Sequence, residues 1–138
     1  KSHWKQSPRV PLLMRNEGLG LIEGRVVSLK SPKEVNKKRY TLPHIGWNKI
    51  KVPSFSTNKE WSNSLLKNTM KNDDFYFVHS FYPLPRDKDM VLATVEYGEQ
   101  EFCVVVKSNN ISATQFHPEK SQYEGLEILR KFAELKKC

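Results

Sequence analysis

Cysteine is scarce, with two in 138 residues. Two thiols cannot build the disulfide framework of a small secreted domain, so a reduced, cytoplasmic setting is the default expectation. No apolar run reaches the length of about 18 residues that a transmembrane helix needs. The first residues, Lys1, Ser2, His3, Trp4 and Lys5, contain no apolar stretch of the kind a secretory signal requires. Glycine is also sparse, and Gly18, Leu19 and Gly20 are too few for a phosphate-binding fingerprint and read as a turn. The cysteines show no CxxC spacing and the four histidines lie far apart, so neither a metal site nor a cofactor is expected.

Negative charge is in deficit, with 15 Asp and Glu against 23 Lys and Arg, a net +8. Such an excess invites a nucleic-acid reading, because cations beside phosphates gain affinity by counterion release. The lysines are scattered, however, and only Lys37, Lys38 and Arg39 and the tail pair Lys136 and Lys137 form local clusters. No helix-turn-helix, zinc-finger spacing or aromatic RNA-binding strand accompanies them. The expectation is a solvated basic surface that steers an anionic partner or substrate. The content of 38% hydrophobic and 11% aromatic residues suffices for one core, so residues 1–138 read as a single domain.

Residues 1–20 read as irregular, with one turn of helix at most at Leu12, Leu13 and Met14. A β-branched strand is predicted over 25–29. Residues 42–48 look aromatic and turn-like, and 49–52 alternate as a half-exposed strand. Trp61, Leu65 and Leu66 are spaced for one face of a short helix. Residues 75–81 are nearly continuous apolar and aromatic, as a buried strand would be. Residues 90–97 and 101–107 flank Gly98 as a hairpin, and 111–116 is a further strand. A terminal helix follows, with Ser121 as N-cap and Glu124 completing a capping box. Leu126, Leu129, Phe132 and Ala133 carry its period. Strands with a docking terminal helix indicate the α/β class.

The informative segment for chemistry is Gln115, Phe116, His117, Pro118, Glu119, Lys120 and Ser121. It places a histidine and a carboxylate two residues apart where a strand ends and a helix begins, which is where α/β folds bind ligands. Pro118 fixes its own φ and biases His117 toward extended geometry. Glu119 is then able to hold the His117 imidazole in one tautomer and stabilise its cation, the base-and-orienter half of a nucleophilic triad. The bland alternative is a surface His and Glu in a turn. His79, in its aromatic strand, is either a satisfied core histidine or a group at the rim of a site. Cys103 sits in an apolar strand without a glycine or helix start and reads as a buried, inert thiol. Cys138 reads as frayed.

The segment from Gln115 to Ser121, with Gly125 and Leu126 after it, resembles the C-terminal signature of class I (triad) glutamine amidotransferases. Three further blocks stand in the matching order: residues 18–26, Pro43 to Asn48 (PHIGWN), and Tyr76 to Tyr82 (YFVHSFY). Together they look like the glutaminase subunit of imidazole glycerol phosphate synthase, over residues 12 to 137. The resemblance implies a flavodoxin-like mixed sheet with flanking helices, present as its C-terminal portion, with residues 1–11 outside the match. It implies His117 and Glu119 as catalytic base and orienting acid. Backbone around Ser80, Phe81 and Tyr82 would hold the substrate glutamine. Trp47, Asn48, Tyr76 and Lys120 would face a (β/α)8-barrel cyclase partner that consumes the ammonia in histidine biosynthesis. Neither nucleic acid nor membrane is an expected partner.

The chain departs from the family at the nucleophile. The family places a cysteine on a glycine-rich elbow before the Leu-Leu pair, and here that place holds Ser7, Pro8, Arg9, Val10 and Pro11. The chain alone is therefore expected to be inactive. Two rival readings stand beside the first: a related amidotransferase subunit aminating a cell-surface sugar precursor, and a non-catalytic basic interaction domain on the same fold.

Overall fold

The computed structural model describes residues 18–30, 34–56, 61–69 and 73–135. The expectations for Leu12 to Met14, the Ser7 to Pro11 segment, the Lys136 and Lys137 pair and Cys138 lie outside these residues. Among the described residues seven strands and one α-helix follow in order: β1 (Gly24–Ser28), β2 (His44–Lys49), β3 (Asp74–His79), β4 (Phe81–Pro85), β5 (Val91–Tyr97), β6 (Gln100–Ser108), β7 (Ile111–Thr114) and α1 (Gln122–Ala133). The anticipated α/β content is present. Every strand pair among the described residues is antiparallel: β1 with β4, β2 with β3, and β6 between β5 and β7.

The hairpin of β5 and β6 forms where expected. Tyr97 faces Gln100 across the loop, and Gly98 takes φ 63°, a conformation that leads the tight turn and favours glycine. β6 is buried along residues 102–106. Phe102 and Val104 join the main core with Phe75, Phe77, Phe116, Ile128, Ile50 and Leu66, while Cys103 and Val106 pack with Ile22 in a second cluster.

Four expectations are corrected. The segment read as turn-like is the strand β2, and only His44 to Lys49 of the 42–52 region is in it. Its polarity is inverted, with His44 buried and Asn48 half-buried while Ile45 and Trp47 face outward, which hides it from a pattern that expects apolar residues inside. Beyond β2, Lys51 pairs with Thr94 of β5 through both backbone hydrogen bonds, so the chain crosses from one sheet to the other.

Residues 61–68 form turns rather than a helix. Trp61 and Leu66 are buried as a helical face would be, but the Ser64 hydroxyl donates to Trp61 O (2.7 Å) and accepts from Leu66 N (3.1 Å). That side chain captures backbone groups a helix would use, so local turns win. The aromatic run at 75–81 is two strands, β3 and β4, and β3 is buried on one face only: Phe75, Phe77 and His79 inward, Val78 outward.

The capping box does not form. Ser121 makes no cap hydrogen bond, and the helix is entered through Gln122 at φ 52°. The Ser121 hydroxyl is engaged elsewhere, as described below. The helix docks through Gly125 and Ile128, and the stripe of Leu126, Leu129 and Phe132 is exposed.

Candidate active site

β3 and the turn after β7 are laced together around one residue, Tyr76. The His117 N–H donates to Tyr76 O (3.0 Å), and the Tyr76 N–H donates to Ser121 Oγ (3.0 Å). The Ser121 hydroxyl in turn donates to His117 O (2.7 Å), closing a ring of three bonds. Pro118 opens a 3-10 turn, Pro118–Lys120, within which the Lys120 N–H donates back to His117 O (3.1 Å). The serine expected to cap the helix is thus spent on fixing the backbone of the histidine. Gly125 makes this possible: a Cβ there would lie 2.0 Å from Pro118 O, so only glycine lets α1 approach the turn.

On this platform His117 Nδ1 lies 2.9 Å from Glu119 Oε1, both side chains being partly exposed. The Glu119 carboxyl is held below the usual carboxylate range, first by its own backbone N–H and then by His117. At neutral pH the carboxylate accepts the Nδ1 proton, which leaves Nε2 as the nitrogen that exchanges protons. In water-exposed surroundings the pair adds little stability, and its value is orientation.

The four residues expected at a partner face are distributed unevenly. Trp47 is the register partner of Tyr76, their rings meet edge to face at 5.8 Å, and Trp47 is 48% exposed. Lys120 is exposed. Trp47, Tyr76 and the dyad turn are therefore contiguous. Asn48 is half-buried, with its amide donating to Glu96 O (3.0 Å) and lying 3.5 Å from His44 Nε2.

Ser80 joins β3 to β4, and Phe81 and Tyr82 open β4. The Leu29 N–H donates to Ser80 O (2.9 Å), and Phe81 stands opposite Ser28. Bonded and non-bonded pairs alternate in an antiparallel ladder, so the Phe81 N–H and C=O point away from β1. Tyr82 packs on Phe102 at 5.3 Å. A mostly apolar cavity of about 590 Å³ is lined by His79, Ser80, Phe81, Val104, Val106 and Gln115, among others. Gln115 lies two residues before His117, so the segment expected to hold substrate and the strand that delivers the dyad border one space.

Cys103 is buried, and its thiol is pushed up to about 12 by burial. It is no thiolate at neutral pH. One feature was not foreseen: His44 of β2 and His79 of β3 face each other in register, with His44 Nδ1 2.9 Å from His79 Nε2. Each stood in a singled-out block, but only the register of two strands 35 residues apart brings them together.

A His–Glu pair on a Pro-containing strand-to-helix turn, in an α/β domain, is an arrangement able to supply the base of acyl transfer. The chain belongs to the class I glutamine amidotransferase family, whose model matches residues 22–135. It is 41% identical over 121 residues to imidazole glycerol phosphate synthase subunit HisH 1 of Legionella pneumophila (strain Lens), covering 88% of this chain and 55% of that protein. To imidazole glycerol phosphate synthase subunit HisH of Syntrophotalea carbinolica it is 38% identical over 120 residues, covering 87% and 54%. The Geobacter sulfurreducens subunit HisH is 38% identical over 124 residues, again 87% and 54%. The chain spans about half the length of these curated relatives.

Proposed function

We propose that the protein is the glutaminase subunit of an imidazole glycerol phosphate synthase, releasing ammonia from glutamine for a cyclase partner. The observation that carries this reading is the His117–Glu119 pair at 2.9 Å on a turn clamped to Tyr76. The family's description supplies glutamine, and the relatives' names supply the synthase of which they are a subunit.

In this reading a thiolate attacks the glutamine carboxamide carbon, and the C–N bond breaks as protonated His117 Nε2 donates to the departing nitrogen. Neutral His117 then takes a proton from water as that water attacks the thioester, regenerating the thiol and giving glutamate. Glu119 keeps Nδ1 protonated and offsets the imidazolium charge in both steps. The outward Phe81 N–H, beside the cavity, is suited to a substrate carboxylate as a backbone donor. Cys103 does not serve as the nucleophile, because its thiol is buried and stays protonated. Trp47, Tyr76, Lys120 and the nearby Asn48 form the face toward the cyclase, which puts the ammonia acceptor next to the dyad.

A site within a cytoplasmic heterodimer, with no cofactor, completes the reading. The test is glutamine hydrolysis by the full-length protein, with and without its cyclase, followed as glutamate and ammonia. Turnover that disappears in His117→Ala, with the complex still formed, is the expected result. Undiminished turnover in that variant overturns the dyad assignment.

A further inference from the structure

His44 and His79 are not isolated core residues but the middle of a directional chain of hydrogen bonds. His79 Nδ1 lies 2.8 Å from Phe81 O, and a carbonyl only accepts, so His79 carries its proton on Nδ1. Its Nε2 is then an acceptor and receives the Nδ1 proton of His44 at 2.9 Å. His44 Nε2 is left as an acceptor facing the Asn48 amide at 3.5 Å. Both rings are therefore neutral Nδ1–H tautomers. Burial lowers the pKa of each, which keeps them neutral. The walls are aromatic: Tyr97 lies against His44 at 4.1 Å, Phe77 stacks on it at 5.0 Å, and Phe102 lies 5.5 Å from His79. Packed among these rings, such a chain is stiff and has one direction.

The chain ends on the Phe81 carbonyl. A peptide unit is planar and trans, so the Phe81 C=O fixes the orientation of the Tyr82 N–H. The neighbouring peptide, from Ser80 to Phe81, is held by the Leu29 N–H on Ser80 O. The Phe81–Tyr82 peptide is gripped from both sides: Tyr82 stands opposite Val27 in the β1 ladder, and the Phe81 C=O on the other side accepts from His79. At its other end the chain reaches Asn48, which neighbours Trp47 on β2. We propose that His44 and His79 are positioning residues that hold the Phe81 carbonyl, and with it the substrate-facing backbone beyond β3, in register with the Trp47 and Asn48 end of β2. This rests on the glutaminase reading, in which that backbone holds glutamine.

The ring tautomers are measured directly by long-range 15N–1H correlation on the full-length protein. Nδ1–H on both rings is expected, the opposite of the form free histidine favours in water, and an Nε2–H form of His79 overturns the relay. The positioning role is read from glutamine kinetics of the full-length protein with its cyclase. His79→Leu should raise the glutamine KM about fivefold or more with kcat changed much less, since it loosens binding backbone and not the dyad. His79→Asn keeps a donor where Nδ1 stood and should recover most of the KM. A KM unchanged in His79→Leu, or equally raised in His79→Asn, overturns the inference while unmutated turnover upholds the glutaminase reading. Absence of turnover in the unmutated enzyme overturns both.

Discussion

His117 and Cys103 show how local surroundings separate a usable group from an inert one of the same chain. His117 is partly exposed and has a carboxylate at 2.9 Å, whereas Cys103 is buried with Val105 O as its hydrogen-bond acceptor. Glu119→Gln should lower glutaminase activity less than His117→Ala, because an amide oxygen still accepts from Nδ1 but no longer offsets the imidazolium charge. Steady-state rates for the two variants rank them, and a larger loss for Glu119→Gln would contradict the orienting role. Cys103 should resist iodoacetamide in the native protein at neutral pH and become alkylated only in denaturant, as peptide mapping would show. The histidine pair adds a pH dependence. Burial, then the His79 charge, lowers His44 from 6.5 to about 4, so below pH 6.5 the unfolded chain binds protons that the native one refuses. Stability is therefore full above pH 6.5 and falls as the pH drops toward 4, by at most about 3 kcal/mol for His44. Urea midpoints at pH 7.5 and pH 5 test this, and equal midpoints would mean the rings protonate without unfolding.

The dyad is built by the joint between β3, the Pro118–Lys120 turn and α1, and its weak point is Gly125. A Cβ there meets Pro118 O at 2.0 Å and the Ser121 Cβ at 2.7 Å, distances that demand backbone movement. Alanine would ordinarily favour a helix by about 1 kcal/mol over glycine. Here the clash reverses the sign, and Gly125→Ala should lower the denaturation midpoint and depress kcat together by displacing the turn. A more stable variant would show that the turn yields freely. This joint was only half readable beforehand. The helix, the strand before it and the His–Glu spacing follow from local pattern, but the role of Ser121 does not. Its hydroxyl had a standard local use as a cap, and a strand 45 residues away in sequence claimed it instead. Ser64 shows the same competition at closer range, turning a helix-spaced apolar set into turns.

Assembly is where the exposed surface matters. Trp47 rests on Tyr76, whose backbone holds the His117–Glu119 turn, so the aromatic face and that turn share one support. Removing an exposed aromatic anchor typically costs about 2 kcal/mol or more of binding. Trp47→Ala should thus weaken the cyclase complex at least about tenfold and leave the fold intact, since the ring is half in solvent. Titration calorimetry with circular dichroism as folding control measures both, and unchanged affinity would take Trp47 out of the interface. The 138-residue chain assayed alone should release no ammonia from glutamine, because the Cys103 thiol within β6 is protonated and enclosed. An adduct on Cys103 from a glutamine-like electrophile would refute this.

The amino-acid sequence by itself determined the α/β class, the β5–β6 hairpin, the terminal helix, the buried Cys103 and the His117–Glu119 spacing. Each depends on neighbours within a few residues, through period, turn chemistry or a fixed φ. Tertiary structure decided what depends on register and on distant partners. It turned the polar side of β2 inward, set His44 against His79, diverted Ser121 from the helix to Tyr76, and docked α1 through Gly125 and Ile128 with its leucines outward. A hydrogen-bonding side chain goes to the partner that costs least to desolvate, and that partner exists only once strands far apart in the chain have paired.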